Sequence, residues 1–275
     1  TSIGWCDATV NFWHGCTKVN EGCKFCYMFR DKEKFGQKGN IIQKSTPTTV
    51  KKVIKELHVR RIAQELKGDR TRLKIFTCSW SDFFLEDADP WRAESWDYIR
   101  ANPEFDWLIL TKRPERITAC LPDDWGNGWD NVLLGISAEN QARYDERIYK
   151  LVNVPAKRRF ISAEPLLDAI DLHLQDRSGR VEETDGCYTP LSDHLHWVIV
   201  GGESGNDSGK WLYRPCKVDW INLIVDQCVL GDIRIFVKQL GTFLCKKWNV
   251  KSRHGDRMND WPEQFDGIKY QEFYK

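Results

Sequence analysis

The chain has 275 residues, of which 41% are hydrophobic and 29% charged. This is enough to bury the core of one large α/β domain or of two small ones, and the composition argues against intrinsic disorder. The formal net charge of +1 favours no class of partner. Its apolar runs fall short of the roughly 18 residues of a membrane span, and its first residues lack the pattern of a signal peptide. We therefore expect a cytoplasmic protein without a membrane partner.

Short runs of β-forming apolar residues recur along the chain and predict seven strands. These strands are Ala8–Trp13, Leu73–Ser79, Trp107–Thr111, Val132–Ser137, Arg159–Ser162, Trp197–Gly201 and Ile233–Val237. Stretches between them carry apolar residues at helical spacing and predict four helices. These helices are Val50–Leu66, Pro90–Arg100, Gln141–Val152 and Val218–Leu230.

The alternation of strands and helices predicts an α/β fold with a parallel sheet. Right-handed crossovers curl such a sheet in one direction, and six or seven strands suit a partial (β/α)6-type barrel; a flat doubly wound sheet is the alternative. Two connections are too long for simple crossovers and predict insertions, one after Cys26 and one between Pro165 and His196. We assign residues 1–241 to the barrel and residues 242–275 to a C-terminal extension.

Three of the ten cysteines lie within eleven residues, directly after the first predicted strand. Cys16, Cys23 and Cys26 form a C-x6-C-x2-C motif, with Gly15 and Gly22 beside them. Three thiolates can bind three irons of a [4Fe–4S] cluster and leave the fourth iron open to a further ligand. The two glycines would let the backbone wrap around such a cluster and donate N–H groups to it.

Three other interpretations of this motif remain open. Structural zinc needs a fourth ligand, for which His14 and Cys6 are the nearest candidates. A C-x2-C pair on an α/β fold can also be a redox pair, and the thiols can simply be unligated. The six cysteines that stand alone are expected to be small buried residues. They are Cys78, Cys120, Cys187, Cys216, Cys228 and Cys245.

Polar residues follow directly after most of the predicted strands. In a β/α barrel the carboxyl ends of the strands face one mouth, where ligands bind, so these residues are candidate ligand contacts. Carboxylates suit a ribose diol or an ammonium group, and lysine suits a carboxylate. The alternative is strand-end capping and salt bridges. The strand-end set is Ser79, Ser81, Asp82, Thr111, Lys112, Arg113, Ser137, Glu139, Asn140, Ser162, Glu164, Glu203, Ser204, Lys238 and Gln239. Of these, the candidates for cofactor binding are Ser79, Ser81, Asp82, Lys112, Ser137, Glu139, Glu164 and Glu203.

Positive charge is concentrated between residues 24 and 74. This segment has fifteen Lys or Arg residues and five Asp or Glu residues, a net charge of +10. Such asymmetry favours a polyanionic partner, although a pair of solvated basic helices would have the same composition.

The sequence Cys23-Lys24-Phe25-Cys26 resembles the second half of the signature of radical S-adenosylmethionine proteins, while the first gap is six residues instead of the usual three. The chain as a whole resembles a phage-encoded three-cysteine-motif family of radical S-adenosylmethionine-like proteins associated with DNA hypermodification. Seven stretches from Trp5 to Gly241 carry the resemblance. They are Trp5–Thr9, Gly15–Val19, Leu110–Arg116, Gly135–Asn140, Ser162–Leu167, Val200–Gly205 and Val237–Gly241.

The resemblance implies a bacteriophage enzyme of the infected host cytoplasm that reductively cleaves S-adenosylmethionine at a [4Fe–4S] cluster. With an external electron donor, it would abstract a hydrogen atom from an amino-acid-modified thymine in DNA, as a mutase or isomerase. The eight strand-end residues would bind S-adenosylmethionine, with Ser79–Asp82 at the methionine amino group; no residue is assigned a catalytic role. The alternative is a zinc- or cluster-stabilised nucleic-acid-binding protein without radical chemistry.

Overall fold

The structure is a computed structural model that describes residues 3–174, 180–182 and 187–274. The helices are α1 (Tyr27–Lys34), α2 (Pro47–Glu65), α3 (Asp89–Arg100), α4 (Gln141–Val152), α5 (Val218–Leu230) and α6 (Thr242–Lys247). All four predicted helices are confirmed as α2 to α5, whereas α1 and α6 are additional. Within the described residues, no helix combines the length and the apolar character that crossing a bilayer requires.

The strands include all seven that the sequence predicts and four short additional ones. They are β1 (Ala8–Val10), β2 (Trp13–His14), β3 (Gln43–Lys44), β4 (Lys74–Thr77), β5 (Asp106–Thr111), β6 (Val132–Ser137), β7 (Arg158–Ala163), β8 (Arg180–Glu182), β9 (Tyr188–Pro190), β10 (Trp197–Gly201) and β11 (Arg234–Gln239).

The seven predicted strands form one sheet with the order β1-β4-β5-β6-β7-β10-β11. The β1–β4, β4–β5, β7–β10 and β10–β11 pairs are parallel. The order along the sheet follows the order along the chain without reversal, whereas a doubly wound sheet reverses at a switch point. The doubly wound alternative is therefore wrong, and the mixed α/β architecture has the strand order that a partial barrel requires.

The chain divides into two compact units. Unit 1 consists of Thr1–Val19, Cys26–Leu134 and Val154–Lys157, and unit 2 of Asn20–Phe25, Gly135–Asn153 and Arg158–Lys275. The cysteine loop, which we define as residues 15–27, is thus shared in sequence: its ends belong to unit 1 and its middle to unit 2.

Helix α2 covers the first strand of unit 1. Its residues Val50, Ile54 and Leu57 are buried at the i, i+4, i+7 spacing of one helical face, and the helix contacts β1. The helix begins three residues earlier than predicted because the Thr46 hydroxyl accepts a hydrogen bond from Thr49 N and Pro47 takes the first position.

The core of unit 2 is built around β10, which lies between β7 and β11. Val198 is in register with Ile161 on one side and with Ile235 on the other, and all three are fully buried. The β10–β11 register shifts after Val200, which pairs with Val237, whereas the next residue, Gly201, pairs with Gln239. Lys238 is therefore an extra residue of β11, a β-bulge at the carboxyl end of the strand.

The two long connections contain more than a crossover helix. The one after Cys26 holds α1, β3 and α2, and β3 pairs antiparallel with β2. The one between β7 and β10 holds the antiparallel pair of β8 and β9. Residues 175–179 and 183–186 of the second predicted insertion lie outside the described residues.

Candidate functional site

The beginning of the cysteine loop is packed tightly against unit 1. Gly15 has φ +91°, and a Cβ there would lie 2.1 Å from the Ile41 carbonyl oxygen, so only glycine fits. The Gly15 amide donates to the Trp80 carbonyl at 3.0 Å. The predicted ligand contact Ser81 donates its hydroxyl to the Gly15 carbonyl at 2.6 Å. Ser81 thus binds the loop itself.

Asp82 has all its acceptor positions occupied within unit 1. One carboxylate oxygen accepts from the Thr111 hydroxyl at 2.7 Å and from Phe84 N at 2.9 Å. The other accepts from Lys112 N at 2.9 Å and from Arg113 Nη1 at 3.0 Å. Asp82 is only 5% exposed. These contacts favour a positioning role, and cofactor binding by Asp82 and Lys112 stays a prediction.

Arg113 links Asp82 to the cysteine loop. Its Nη2 donates to both the carbonyl oxygen of Thr17, at 2.9 Å, and the hydroxyl of Thr17, at 2.7 Å. Burial alone would lower the pKa of Arg113, but the Asp82 carboxylate and the Cys16 thiol outweigh it, so that the pKa is raised. A permanent buried cation therefore lies beside the first cysteine of the motif.

Ser79 lies at the other end of the loop in unit 1. Its hydroxyl accepts from the Asn11 amide at 3.2 Å, and its carbonyl accepts a hydrogen bond from the hydroxyl of Tyr27, the residue after Cys26. Asn11 also accepts from Trp80 N at 2.8 Å. Ser79 therefore helps to hold the residue that follows the third cysteine.

In unit 2, Glu139 binds the middle of the loop. It is completely buried, and its carboxylate accepts from Asn20 Nδ2 at 2.8 Å and from Arg147 Nη1 at 3.1 Å. The same Arg147 nitrogen donates to the carbonyl of the predicted contact Ser137 at 2.7 Å. A Cβ on Gly22 would lie 2.6 Å from the Glu139 side chain. Gly22 is therefore needed for this packing.

Glu203 forms a second carboxylate–arginine contact with the loop in unit 2. The Arg214 side chain donates from Nε to Glu203 at 2.8 Å and from Nη2 to its other oxygen, and its backbone N–H donates at 2.8 Å. Arg214 Nη1 donates to the Glu21 carbonyl at 2.8 Å, and its guanidinium lies 5.4 Å from the Phe25 ring centroid. Glu203 thus holds the loop through Arg214.

The Glu21 side chain adds a further anchor at the surface of unit 2. It accepts from Arg143 at 3.1 and 3.2 Å and from Asn140 at 2.7 Å. Chiefly through the hydrogen bonds from Arg143, the pKa of Glu21 is lowered to about 2. The carboxylate therefore stays charged, and the contact stays formed, throughout the neutral range.

Glu164 differs from the other three carboxylates. It accepts from Lys238 Nζ at 2.5 Å, and the side chains of both residues are partly exposed, at 14% and 22%. Gly201 lies beside it, so that a Cβ there would be 3.3 Å from Glu164 Oε1. This ion pair has no recorded bond to the cysteine loop.

Two thiols of the motif, those of Cys16 and Cys23, are directed to acceptors within their own loop. Cys16 Sγ lies 3.4 Å from the Thr17 carbonyl oxygen, and Cys23 Sγ lies 3.4 Å from Asn20 Oδ1. Cys16 and Cys26 are partly exposed, and Cys23 is buried. In the part of the chain that the structure describes, no three His, Cys, Asp or Glu residues are grouped to hold a metal ion. The three-thiolate site stays a prediction.

The fourth ligands considered for zinc have other neighbours. His14 Nδ1 lies 2.7 Å from the buried ammonium group of Lys32. Burial first, and Lys32 second, lower the pKa of His14. Cys6 is buried, and its thiol points to the Ile3 carbonyl at 3.9 Å. A neighbouring cation opposes metal binding at His14 through charge repulsion.

All ten cysteines are free thiols, as expected for reduced cysteines. Four solitary ones are buried as predicted, and desolvation raises their pKa values, to about 12 for Cys78 and Cys216 and to about 11 for Cys245. The pKa of Cys228 is raised for the same reason. The prediction is wrong for Cys187, which is exposed in a loop, and for Cys120, which is partly exposed.

The basic segment 24–74 is partly neutralised in the structure. Three lysines of α2 are exposed and have no ion pair to any described residue: Lys51, Lys52 and Lys55. Other cations of the segment pair with acidic residues. These pairs are Lys44–Glu94, Arg60–Asp7 and Arg72–Asp106. A polyanionic partner stays a prediction.

Sequence reasoning missed the residues that connect the carboxylates to the loop. Arg147 lies within α4, eight residues after Glu139, which precedes the helix, and this spacing suggests no contact. Arg214 lies eleven residues after Glu203 with no regular element between them, and no sequence signal relates the two. Asn20 gave no signal either, because one asparagine in a loop is most often a turn residue.

The family model that matches the chain is described as "Protein of unknown function (DUF5131)", and it covers residues 1–273. It thus includes the cysteine loop and all eight strand-end candidates. No curated protein and no solved structure matches the chain.

Proposed function

Since the chain belongs to the DUF5131 family, whose description assigns no function, we propose one from its own residues: a radical S-adenosylmethionine enzyme. Cys16, Cys23 and Cys26 would hold a [4Fe–4S] cluster. With an electron from an external donor, such a cluster would supply the reductive cleavage of S-adenosylmethionine, and through it the abstraction of a hydrogen atom from the substrate, an amino-acid-modified thymine in DNA.

The observation that carries the proposal is the way the backbone of the cysteine loop is held. Arg113, held by Asp82, donates to the Thr17 carbonyl, one residue after Cys16. Arg214, held by Glu203, donates to the Glu21 carbonyl, two residues before Cys23. Buried carboxylate–arginine pairs are costly to assemble for a loop that only connects two strands, whereas ligands of a metal cluster need such fixed positions.

The donor set suits a cluster with three protein ligands. Thiolates are the usual ligands of iron–sulfur clusters, and the motif supplies three. Cys16 and Cys23 use their S–H protons for bonds within the loop. Metal binding removes this proton, so both bonds would be lost.

The strand-end residues divide into two roles in this proposal. Asp82, Glu139 and Glu203 are positioning residues, because each is less than 10% exposed and bonded towards the loop. Their part is to fix the loop backbone and to exclude water from it. Ser79 and Glu164 are partly exposed and keep acceptor capacity for a ligand.

DNA is proposed as the substrate because of the excess positive charge between residues 24 and 74. The exposed lysines of α2 (Lys51, Lys52 and Lys55) can contact phosphates, a contact that weakens with salt. A base that is modified by a buried site must leave the stack, and a bulky modification weakens its pairing.

The test is anaerobic reconstitution with iron and sulfide, followed by reduction in the presence of S-adenosylmethionine. We expect about four irons per chain and formation of 5′-deoxyadenosine. Cys23→Ala is expected to abolish both, whereas Cys187→Ala, which removes an exposed thiol outside the motif, should retain both. Full cleavage by Cys23→Ala would refute the proposal. One zinc per chain with no 5′-deoxyadenosine would instead support the nucleic-acid-binding alternative.

A further inference from the structure

The Glu164–Lys238 ion pair joins the two strands on either side of β10, and the residue of β10 between them is a glycine. Glu164 follows β7, Lys238 lies near the end of β11, and β10 runs between these two strands. At this level β10 ends in Gly201, followed by Gly202. A Cβ on Gly201 would approach Glu164 Oε1 to 3.3 Å and Gln239 Cγ to 3.2 Å. The glycine therefore leaves room beside the Glu164 carboxylate that a side chain would fill, and both charged side chains are partly exposed.

The β-bulge in β11 gives Lys238 its place in this arrangement. Val237 and Gln239 have partners in β10, at Val200 and Gly201, while Lys238 is the extra residue between them. A bulge changes the direction of a side chain relative to the regular alternation of the strand, and bulges are common beside functional sites. Without it, this end of β11 would follow the strict alternation of side chains.

The pair also keeps bonding capacity that the other strand-end carboxylates lack. Glu164 uses one oxygen for Lys238, and Oε2 has no recorded partner among the described residues. Lys238 donates one N–H to Glu164 and has two further donors. Asp82, by contrast, accepts four hydrogen bonds from its own unit.

We infer that Glu164 and Lys238 bind the zwitterionic group of an α-amino acid. The ligand ammonium donates to Glu164 Oε2, and the ligand carboxylate accepts from the remaining N–H groups of Lys238. The existing ion pair stays formed, so no buried charge is left without a partner. A pair with no net charge favours a ligand with no net charge, which distinguishes a zwitterion from a simple anion or cation.

The amino acid is that of the substrate in the proposed function, and to this extent the inference rests on that function. Binding of the zwitterion itself requires neither cluster nor radical chemistry. An amino acid joined to a base through its nitrogen keeps both an amine and a carboxylate. The pair would then select modified bases over unmodified ones.

The experiment measures glycine binding to the iron-free protein by calorimetry or ligand-observed NMR. Glycine is expected to bind at least about tenfold more tightly than glycine methyl ester, which lacks the carboxylate charge, or N-acetylglycine, which lacks the ammonium. Glu164→Gln and Lys238→Met should each weaken glycine binding about tenfold or more. The matched control is Arg234→Met. Arg234 lies on the same strand as Lys238 and forms a partly exposed ion pair with Glu272, and its loss should leave glycine binding unchanged.

Unchanged glycine binding in both single variants, or no binding to the wild type, would overturn the inference. If a single variant unfolds, the exchanged pair Glu164→Lys/Lys238→Glu keeps both charges, and recovery of glycine binding in it supports the site. Loss of binding in that folded double variant counts against it. Cleavage of S-adenosylmethionine is measured separately, so that the zwitterion site and the proposed radical chemistry can each fail while the other holds.

S-adenosylhomocysteine, which carries the same zwitterion as the cofactor, separates the two sources of the group. The inference assigns Glu164 to the substrate instead of the cofactor that the resemblance implied for it, so binding of S-adenosylhomocysteine is expected to be equal in the wild type and in Glu164→Gln. A parallel loss with glycine would overturn the assignment to the substrate.

Discussion

Replacement of Arg113 by Met tests whether the link that Arg113 makes between Asp82 and the cysteine loop stabilises the folded protein. The change removes the cation from a buried pair whose side chains are 9% and 6% exposed. It also removes both hydrogen bonds to Thr17. Removing one partner of a buried ion pair costs about 3–5 kcal/mol, because the remaining charge stays buried without compensation. We expect a loss of this size in the free energy of unfolding.

Arg116→Met is the matched control in the same unit. Arg116 pairs with Asp89, but these side chains are 27% and 47% exposed, and Arg116 has no recorded bond to the cysteine loop. Water can solvate the carboxylate that remains, so the expected loss is about 1 kcal/mol or less. Urea denaturation of the three proteins gives the two differences directly.

The double variant Asp82→Asn/Arg113→Met separates buried charge from lost packing. Neutralising Asp82 removes the uncompensated charge, so the double variant should be more stable than Arg113→Met alone. Equal losses in Arg113→Met and Arg116→Met, or a double variant that is less stable than Arg113→Met, would refute the reasoning.

Three further predictions concern packing and thiol chemistry. Gly22→Ala places a Cβ 2.6 Å from the buried Glu139 side chain and should cost about 1–3 kcal/mol in unfolding free energy, whereas Gly267→Ala, which meets no atom within 4 Å, should change it by less than about 0.5 kcal/mol. Burial raises the pKa of Cys78 from 9.0 to about 12, so folding favours the protonated thiol. The thiol's contribution to the free energy of unfolding is fully present below pH 9 and decreases by about 1.4 kcal/mol per pH unit above pH 9. Denaturation between pH 9 and pH 11 should therefore show a smaller loss in Cys78→Ser, and equal losses would contradict the assignment. Iodoacetamide should label the exposed Cys187 of the native protein and leave Cys78 unmodified, as peptide mass spectrometry would show; rapid labelling of Cys78 would mean that it is not buried.

Much of the fold could be predicted from periodicity alone. All seven strands of the main sheet and helices α2 to α5 agree with the sequence pattern, because strands buried on both faces read as continuous apolar runs. Helix α1 was missed, since Tyr27–Lys34 has five charged residues among its eight and only two buried ones, Met28 and Lys32. The position of α1 therefore depends on tertiary contacts with other parts of unit 1, which the local sequence pattern does not show.

The sequence identified the residue types of the candidate site and did not identify the contacts that these residues make. Strand-end position identified Asp82, Glu139, Glu164 and Glu203 as candidate ligand contacts. It did not distinguish the three that are bonded towards the cysteine loop from Glu164, which pairs with Lys238. The partners Arg113 and Arg214 lie 31 and 11 residues from their carboxylates, beyond the reach of any local pattern.

The sequence by itself determined the elements, their alternation and the spacing of Cys16, Cys23 and Cys26, because these depend on local periodicity and on near neighbours along the chain. Only the tertiary structure decided the strand order, the bulge at Lys238 and the partner of each buried charge. The physical reason is that a buried charge loses its contacts with water, so its energy depends on the partner groups that folding brings close to it. The number of residues between two groups along the chain does not reveal how close they are in the folded protein.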